Sequence, residues 1–283
     1  MKLNMRFPDG KPKALTFSYD DGVYQDLRLI SIFNQYGLKG TFNLNSGSFG
    51  QMPGDRKSGR MTKEDVVSAY KDSGHEVAVH AFTHPHLEQL PIDQATKEIL
   101  ADRENLEELF HTIVRGGAYP FGSYSDEVVD ILKNCGIRYF RTTASTEQFT
   151  IPIDWLRLPA TCHHKNKRLM ELAQEFVTDS PDLKEGWRRE PWLFYVWGHS
   201  YEFDQNTKDN NWDLIERFAE FVSGKEDVWY ATNIEIYDYV TAFRSLEISL
   251  SEKIIHNPTA HTIFFEYETE KHQINPGATI CFA

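Results

Sequence analysis

The chain has 283 residues, enough for one large domain or for a domain with a small appendage. Its 42 acidic and 30 basic side chains give a formal charge of −12, so attraction to nucleic acid or to an anionic membrane surface is not expected. No apolar run is long enough to span a membrane, and the start MKLNMRFPDGKPK lacks the hydrophobic core of a signal peptide. The three scattered cysteines predict neither a disulfide framework nor a thiolate metal site. We therefore expect a protein of the reducing cytoplasm unless a longer precursor is exported.

Short apolar segments alternate with amphipathic helical segments, which is typical of an α/β fold with a parallel sheet or barrel. In the first half, the predicted helices are YQDLRLISIFNQYG, MTKEDVVSAYKDSG and DQATKEILADRENLEELF. The predicted strands are KALTFSY, KGTFNLN, EVAV and HTIVRGGAY. Thr62 stands where a helix cap is expected, and Gly37 and Gly74 stand where two of these helices should end.

The second half continues the alternation after one irregular stretch. Helix SDEVVDILKNCG and strand IRYFRTT are followed by residues 143–190, which we interpret as long loops with one helix near RLMELAQEF. Strand PWLFYVWG, helix WDLIERFAEFVSG, strand VWYAT and helix IEIYDYVTAF then bring the total to seven or eight strands, enough to close or nearly close a barrel. Residues 1–244 form this predicted barrel. The alternating pattern of residues 245–283 predicts a small antiparallel β appendage.

Polar side chains follow several predicted strands where each strand ends. Asp20 and Asp21 close KALTFSY, His80 follows EVAV, and His199 follows PWLFYVWG. The spacing of His80 and His84 predicts that one helical turn brings both imidazoles to the same side, as a zinc ion requires. The carboxyl ends of barrel strands are where barrel enzymes keep their active sites, so these residues together predict a metal hydrolase.

Each feature taken alone has a simpler explanation. Asp-Asp-Gly after a strand is most often a turn, and two histidines at this spacing occur by chance. His86 follows Pro85, which disfavours a continuing helix, so we expect it not to be a ligand. The adjacent His163 and His164 should diverge, and a solvated loop is the favoured interpretation.

The segments TFSYDDG, HAFTHP, AYPFGSY and VWGHS, in this order, resemble the main motifs of the polysaccharide deacetylases, carbohydrate esterase family 4. The resemblance extends over about residues 13 to 240. The wording of FSYDDG and GHSYEFD is similar to a gellan-lyase-like branch of that family. The resemblance implies a distorted (β/α) barrel, a metal cofactor and a carbohydrate substrate.

The same resemblance implies a role for each matched residue. Asp20 is then the catalytic base and His199 the general acid. The implied metal ligands are Asp21, His80 and His84, with Zn²⁺ expected and Co²⁺ or Ni²⁺ able to replace it. The backbone N–H of Phe121 would contribute to an oxyanion hole. Aromatic side chains beside this site could stack on a sugar ring, and they are Tyr119, Trp197 and Tyr201, of which Tyr201 is favoured.

Two positions depart from the family pattern. The third motif usually begins with an arginine that pairs with the base, and this chain has Ala118 there. We expect another cation to replace it, with Arg141 and Arg157 as candidates. The family's acidic fourth motif is echoed only by Asp154 and Trp155 in IPIDW.

The predicted function is metal-dependent removal of N-acetyl groups, or less favourably O-acetyl groups, from a carbohydrate. Two alternatives stay open at this point. The same barrel could hydrolyse another small amide, or the missing arginine could mark a carbohydrate-binding protein that kept the metal and lost turnover. The sequence does not indicate the oligomeric state.

Overall fold

The computed structural model of the protein describes residues 3–50, 59–183 and 189–282. Its strands are β1 (Leu3–Arg6), β2 (Lys13–Asp20), β3 (Gly40–Leu44), β4 (Glu76–Val79), β5 (Gly116–Ala118), β6 (Tyr139–Ser145), β7 (Leu158–Ala160), β8 (Cys162–His163), β9 (Trp192–Gly198), β10 (Val228–Tyr230), β11 (Glu247–Ile248), β12 (Ile254–His256), β13 (Ile263–Tyr267), β14 (Glu270–Ile274) and β15 (Thr279–Cys281). Its α-helices are α1 (Asp26–Gln35), α2 (Lys63–Tyr70), α3 (Ile92–Phe110), α4 (Asp126–Asn134), α5 (Leu169–Thr178), α6 (Trp212–Val222) and α7 (Asn233–Arg244).

Within the described residues, nine parallel strands form the central sheet, in the order β7-β6-β5-β4-β3-β2-β9-β8, with β10 also paired to β2. Only Thr161 separates β7 from β8 along the chain. Because β7 pairs with β6 and β8 pairs with β9, residues 158–163 join the two ends of the sheet. The sheet therefore closes into an irregular barrel, and the predicted (β/α) barrel is confirmed.

One face of β2 carries polar side chains into the barrel interior. Successive residues of a strand face opposite sides of the sheet, and on β2 Thr16, Ser18 and Asp20 make hydrogen bonds across the interior. Thr16 donates to Asn233, 2.9 Å away, and Ser18 accepts from Asn43 at 2.8 Å. The alternate residues of β2, such as Phe17, pack with the helices in the main hydrophobic core. Polar side chains thus lead through the barrel towards the carboxyl ends of its strands.

Most predicted elements are present, and two predictions of extent are wrong. The strand expected over 111–119 begins only at Gly116, because α3 continues to Phe110 and His111 ends it in a left-handed conformation with φ 53°. Residues 143–190 contain β7 and β8, which are short and pair with distant strands, and residues 184–188 of that stretch lie outside the described residues. Gly117 allows β5 to pack closely against β4, since a Cβ atom at this position would lie 2.3 Å from the carbonyl oxygen of Val79.

The C-terminal residues form two small antiparallel sheets, as predicted, and one of them includes a strand from the N-terminus. The first has the order β1-β13-β14 and the second β11-β12-β15. The proposed division between residues 1–244 and 245–283 stays a prediction. No helix in the described parts of the chain is long and apolar enough to cross a membrane.

A buried ion pair joins β1 to β13. Arg6 is fully buried and donates a 2.6 Å hydrogen bond to Glu266, which also accepts two hydrogen bonds from Arg189 at 2.7 Å. Asp182 lies 2.9 Å from the same Arg6 guanidinium. Glu266 is therefore the carboxylate that neutralises two cations at this junction.

Replacing Glu266 by alanine should lower the free energy of unfolding by about 3 kcal/mol or more, since removing one partner leaves the buried Arg6 charge undercompensated. Urea unfolding of Glu266→Ala against wild type measures this. Glu270→Ala, which removes an exposed carboxylate from the neighbouring strand, serves as the control and should change stability by less than about 0.5 kcal/mol. Equal stabilities of the two variants would contradict the assigned role of Glu266.

Candidate metal centre and active site

The residues predicted from strand ends lie together at one mouth of the barrel. Donor atoms of Asp21, His80 and His84 lie within 4.8 Å of one another. The Nε2 atoms of His80 and His199 each lie 3.9 Å from Oδ2 of Asp20. Parallel strands place their carboxyl ends at the same edge, which is why residues so distant in sequence meet here.

A tight turn after β2 separates the two adjacent aspartates. Asp21 has φ 89° and Gly22 has φ 64°, in a backbone region that residues other than glycine rarely adopt. The backbone N–H of Asp21 donates to the Asn43 carbonyl at 2.9 Å, and Arg60 donates to both the carbonyl and the carboxylate of Asp21. Asp20 consequently points into the barrel, while Oδ1 of Asp21 lies 3.8 Å from Nε2 of His84.

The predicted helical turn between His80 and His84 is wrong. Both Ala81 (φ 60°) and His84 (φ 62°) are left-handed, and the segment bonds to its neighbours instead of to itself. The Asn45 side chain donates to the carbonyls of His80 and Ala81, and the Phe82 N–H donates to the Glu98 carbonyl. The two imidazoles still meet, with ring centroids 4.8 Å apart.

The hydrogen bonding of His80 prepares it to bind a metal. Its Nδ1 lies 2.7 Å from the Ala118 carbonyl oxygen, which can only accept, so Nδ1 carries the proton and Nε2 keeps its lone pair. Burial lowers the pKa of His80, and it lowers the pKa of His84 to about 4 with help from the nearby His80. Two neutral imidazoles and the Asp21 carboxylate form a donor set that suits Zn²⁺ and leaves a further coordination position open.

Asp20 is a buried carboxylate held by two donors. Asn43 donates to its Oδ1 at 2.7 Å, and Arg141 donates to its Oδ2. Burial alone would raise the pKa of Asp20, but the Arg141 guanidinium, with smaller contributions from His80 and His199, holds it well below its usual range. Asp20 is therefore ionised across the neutral pH range.

Arg141 supplies the cation that the sequence left open. It lies on β6 in register with Ala118 of β5, so the guanidinium reaches Asp20 from the strand next to the expected one. It is fully buried, and its cationic carbon lies 4.3 Å from the Trp197 ring centroid. Arg157, the other candidate, pairs instead with Asp154 at 2.7 Å and with Asp126.

Glu202 is a site residue that the sequence reasoning missed. Its Oε2 lies 3.6 Å from Nδ1 of His199, a charge contact rather than a hydrogen bond, and Lys165 donates to Oε1 at 2.6 Å. Burial alone would lower the pKa of His199, but the carboxylates of Glu202 and Asp20 outweigh this and raise it. The signal in the sequence was a carboxylate three residues after His199, at the start of a 3-10 turn.

The predicted solvated loop at His163 and His164 is also wrong. Both Nε2 atoms approach Oε2 of Glu202, at 3.2 Å and 3.0 Å respectively, and His164 is buried. Adjacent residues of a strand should diverge, but β8 contains only Cys162 and His163, and the chain leaves the strand at His164. Burial lowers the pKa of His164 to about 3.

The aromatic residues divide between the core and the site. Tyr119 is 1% exposed and donates to the Leu156 carbonyl at 2.7 Å, which contradicts its predicted contact with a sugar. Trp197 is likewise buried. Tyr201 is 39% exposed, and its ring centroid lies 5.2 Å from that of His199, so it can meet a ligand.

Phe121 borders the candidate centre beside His84. It has φ 58°, and among the described residues its backbone N–H has no backbone acceptor, which leaves it available as an oxyanion donor. Its exposed ring contacts His84 edge-on at 4.6 Å and stacks on His86 at 3.9 Å. His86 faces Ser123 at 3.1 Å and stands outside the metal-binding group, in line with its predicted role as a non-ligand. Fold and site together define an α/β-barrel protein with a candidate centre of two histidines and a carboxylate.

Comparisons with known proteins agree with this class. The polysaccharide deacetylase family model matches residues 8–140. A chitin deacetylase from Arthroderma benhamiae is 31% identical over 121 residues, which cover 41% of this chain and only 29% of that relative. Two solved structures share the fold. A protein described as a polysaccharide deacetylase from Mycobacterium smegmatis has a TM-score of 0.58 and 18% identity, and the match covers 85% of this chain and 94% of that one. A family 4 carbohydrate esterase from Streptomyces lividans in complex with acetate has a TM-score of 0.50 and 16% identity, and the match covers 77% of this chain and 91% of that one.

On these matches residues 8–140 of the chain are similar to the polysaccharide deacetylase family. The similarity to its gellan-lyase-like branch stays a prediction.

Replacing Asp21 by alanine should weaken zinc binding at this centre by more than about 100-fold, because loss of a ligand costs more than the 10–100-fold typical of losing a supporting hydrogen bond. Competition with a chromophoric chelator measures the affinity. Asp154→Ala, which removes a half-exposed carboxylate paired with Arg157, is the matched control and should bind zinc as wild type does. A variant lacking Asp21 that binds zinc as tightly as the control would rule out this ligand set.

Proposed function

We propose that this chain is a metal-dependent hydrolase that removes N-acetyl groups from a carbohydrate, with Zn²⁺ bound by Asp21, His80 and His84. The observation that carries the proposal is the position of Asp20, the last residue of β2, and His199, which follows β9, at the same candidate centre. A carboxylate base and a histidine acid beside one metal-binding group are what amide hydrolysis requires. The matched chitin deacetylase supports the acetylated sugar as the substrate class.

The two acid–base residues have opposite protonation states at neutral pH. Asp20 is held ionised by Arg141 and so can accept a proton from the attacking water. A carboxylate of such low pKa is a weak base, so it can take a proton only from a water molecule whose own pKa has been lowered. A bound Zn²⁺ would supply that acidity, lowering the pKa of water towards about 7, and would also polarise the acetyl carbonyl.

His199 is placed to deliver a proton to the leaving amine. Its Nδ1 faces Glu202 and its Nε2 faces Asp20 and the centre, so the proton to be donated is the one on Nε2. The raised pKa keeps a larger fraction of the ring protonated at neutral pH. Phe121 lies beside His84 of the centre, where its backbone N–H can donate to the oxyanion that develops from the carbonyl.

The pairing of Arg141 with Asp20 bears on the non-catalytic alternative. That alternative rested on the missing arginine at Ala118, and a buried guanidinium from β6 fills the same electrostatic role. The charge arrangement for turnover is therefore present in this chain. Hydrolysis of a different small amide is left as the competing activity.

Wild-type protein should release acetate from N-acetylated chito-oligosaccharides, and a chelator should abolish the release, because the proposed reaction needs the metal. Asp20→Asn should lower kcat by roughly 10²–10⁴-fold, the range for loss of an acid–base group, while zinc binding stays near wild type. Enzymatic acetate measurement checks both, with acetylated xylan as the O-acetyl comparison. Absent or chelator-insensitive release on every substrate would refute the deacetylase.

Replacing Glu202 by glutamine should shift the basic limb of the pH profile of kcat/KM to lower pH. His199 acts as an acid only while protonated, so activity is lost as pH rises through its pKa, and the Glu202 charge raises that pKa. Glu202→Gln keeps the shape and removes the charge, and Asp204→Asn, two residues away, is the control. An unchanged basic limb would show that Glu202 does not act on His199.

A further inference from the structure

A second group of donor atoms lies beside the general acid. Three imidazole nitrogens approach one oxygen, Oε2 of Glu202: Nε2 of His163 at 3.2 Å, Nε2 of His164 at 3.0 Å and Nδ1 of His199 at 3.6 Å. A carboxylate oxygen has two lone pairs and cannot accept from three donors. Among the described residues, neither this buried Oε2 nor Nε2 of His164 nor Nδ1 of His199 has an aligned hydrogen bond.

The distances from Glu202 Oε2 to His163 and His199, 3.2 Å and 3.6 Å, suit ligand atoms that share one metal ion. A tetrahedral Zn²⁺ with bonds of 2.0–2.2 Å keeps its ligand atoms roughly 3.3–3.5 Å apart. His163, His199 and Glu202 offer donor atoms that all lie within 4.8 Å of one another. We propose that these three residues bind a second divalent cation of the zinc class when it is present in excess.

Burial and charge make this a weaker site than the one at Asp21. Glu202 is only 9% exposed, and its two oxygens are divided, since Lys165 holds Oε1 and leaves Oε2 facing the imidazoles. The Lys165 ammonium repels a cation. The Lys165 backbone N–H donates to Nδ1 of His163 at 3.0 Å, so Nε2 of His163 carries a proton that must leave when the ion binds.

Occupation of this site consumes the general acid. With a metal on Nδ1, His199 cannot form the imidazolium, and the Nε2–H that remains is too weak an acid to protonate the leaving amine. Excess zinc therefore inhibits the enzyme through these ligands. The inhibition rests on the proposed deacetylase function, whereas binding of the second ion does not.

The first experiment counts ions without any substrate. Purified protein is dialysed against increasing Zn²⁺, and bound zinc is measured for wild type, His163→Asn and the control His261→Asn, which alters an exposed histidine of the appendage. Wild type and His261→Asn should take up two ions in two steps, and His163→Asn should lose the weaker step alone. A wild-type protein that binds only one ion would overturn the proposal whether or not it releases acetate.

The second experiment measures inhibition of acetate release by Zn²⁺. Inhibition is expressed relative to each variant's own activity without added zinc, and the half-inhibiting zinc concentration of His163→Asn should rise more than about tenfold. Lys165→Met, which removes the repelling ammonium, should act in the opposite direction and lower that concentration. Inhibition that is unchanged in both variants would show that zinc acts elsewhere.

Discussion

The ion pair between Asp20 and Arg141 is the interaction on which the site depends. A carboxylate buried in a barrel is tolerated only when a cation and hydrogen-bond donors compensate its lost hydration. Arg141 provides that cation and also donates to Ser18, which accepts from Asn43 on the neighbouring strand. Because Asp20, Asn43 and Arg141 come from three different strands, the closed barrel and the charged base require each other. The hydrogen bonds that link Ser18, Asn43 and Arg141 therefore belong to the same buried network as Asp20.

The arginine's position shows what a motif fixes and what it leaves free. A motif specifies a residue at one position, whereas electrostatics requires only a positive charge within reach of Asp20. Arg141 is opposite Ala118 in strand register, so a guanidinium from either strand arrives at the same place. The sequence offered both Arg141 and Arg157, and only strand register, a tertiary property, decides between them.

Strand ends were predictable from the sequence because apolar runs followed by polar residues report burial directly. That is why Asp21, His80 and His199 could be grouped from their positions along the chain alone. The backbone between His80 and His84 was not predictable, since the Asn45 side chain, from another strand end, replaces the hydrogen bonds of a helical turn. The convergence of His163 and His164 on Glu202 was also not predictable, because β8 is two residues long and too short to show a periodicity in the sequence.

In His80 and His199, the partner of the ring nitrogen Nδ1 decides which role the side chain takes. In both rings Nδ1 faces a fixed partner and Nε2 faces the centre. The partner of His80 is the neutral Ala118 carbonyl, so burial keeps that ring neutral and leaves a lone pair for a metal. The partner of His199 is the Glu202 carboxylate, whose charge favours the imidazolium and so makes the ring an acid. Both histidines lie at the barrel mouth. The charge of the group that faces Nδ1 therefore distinguishes the candidate metal ligand His80 from the candidate acid His199 more than position does.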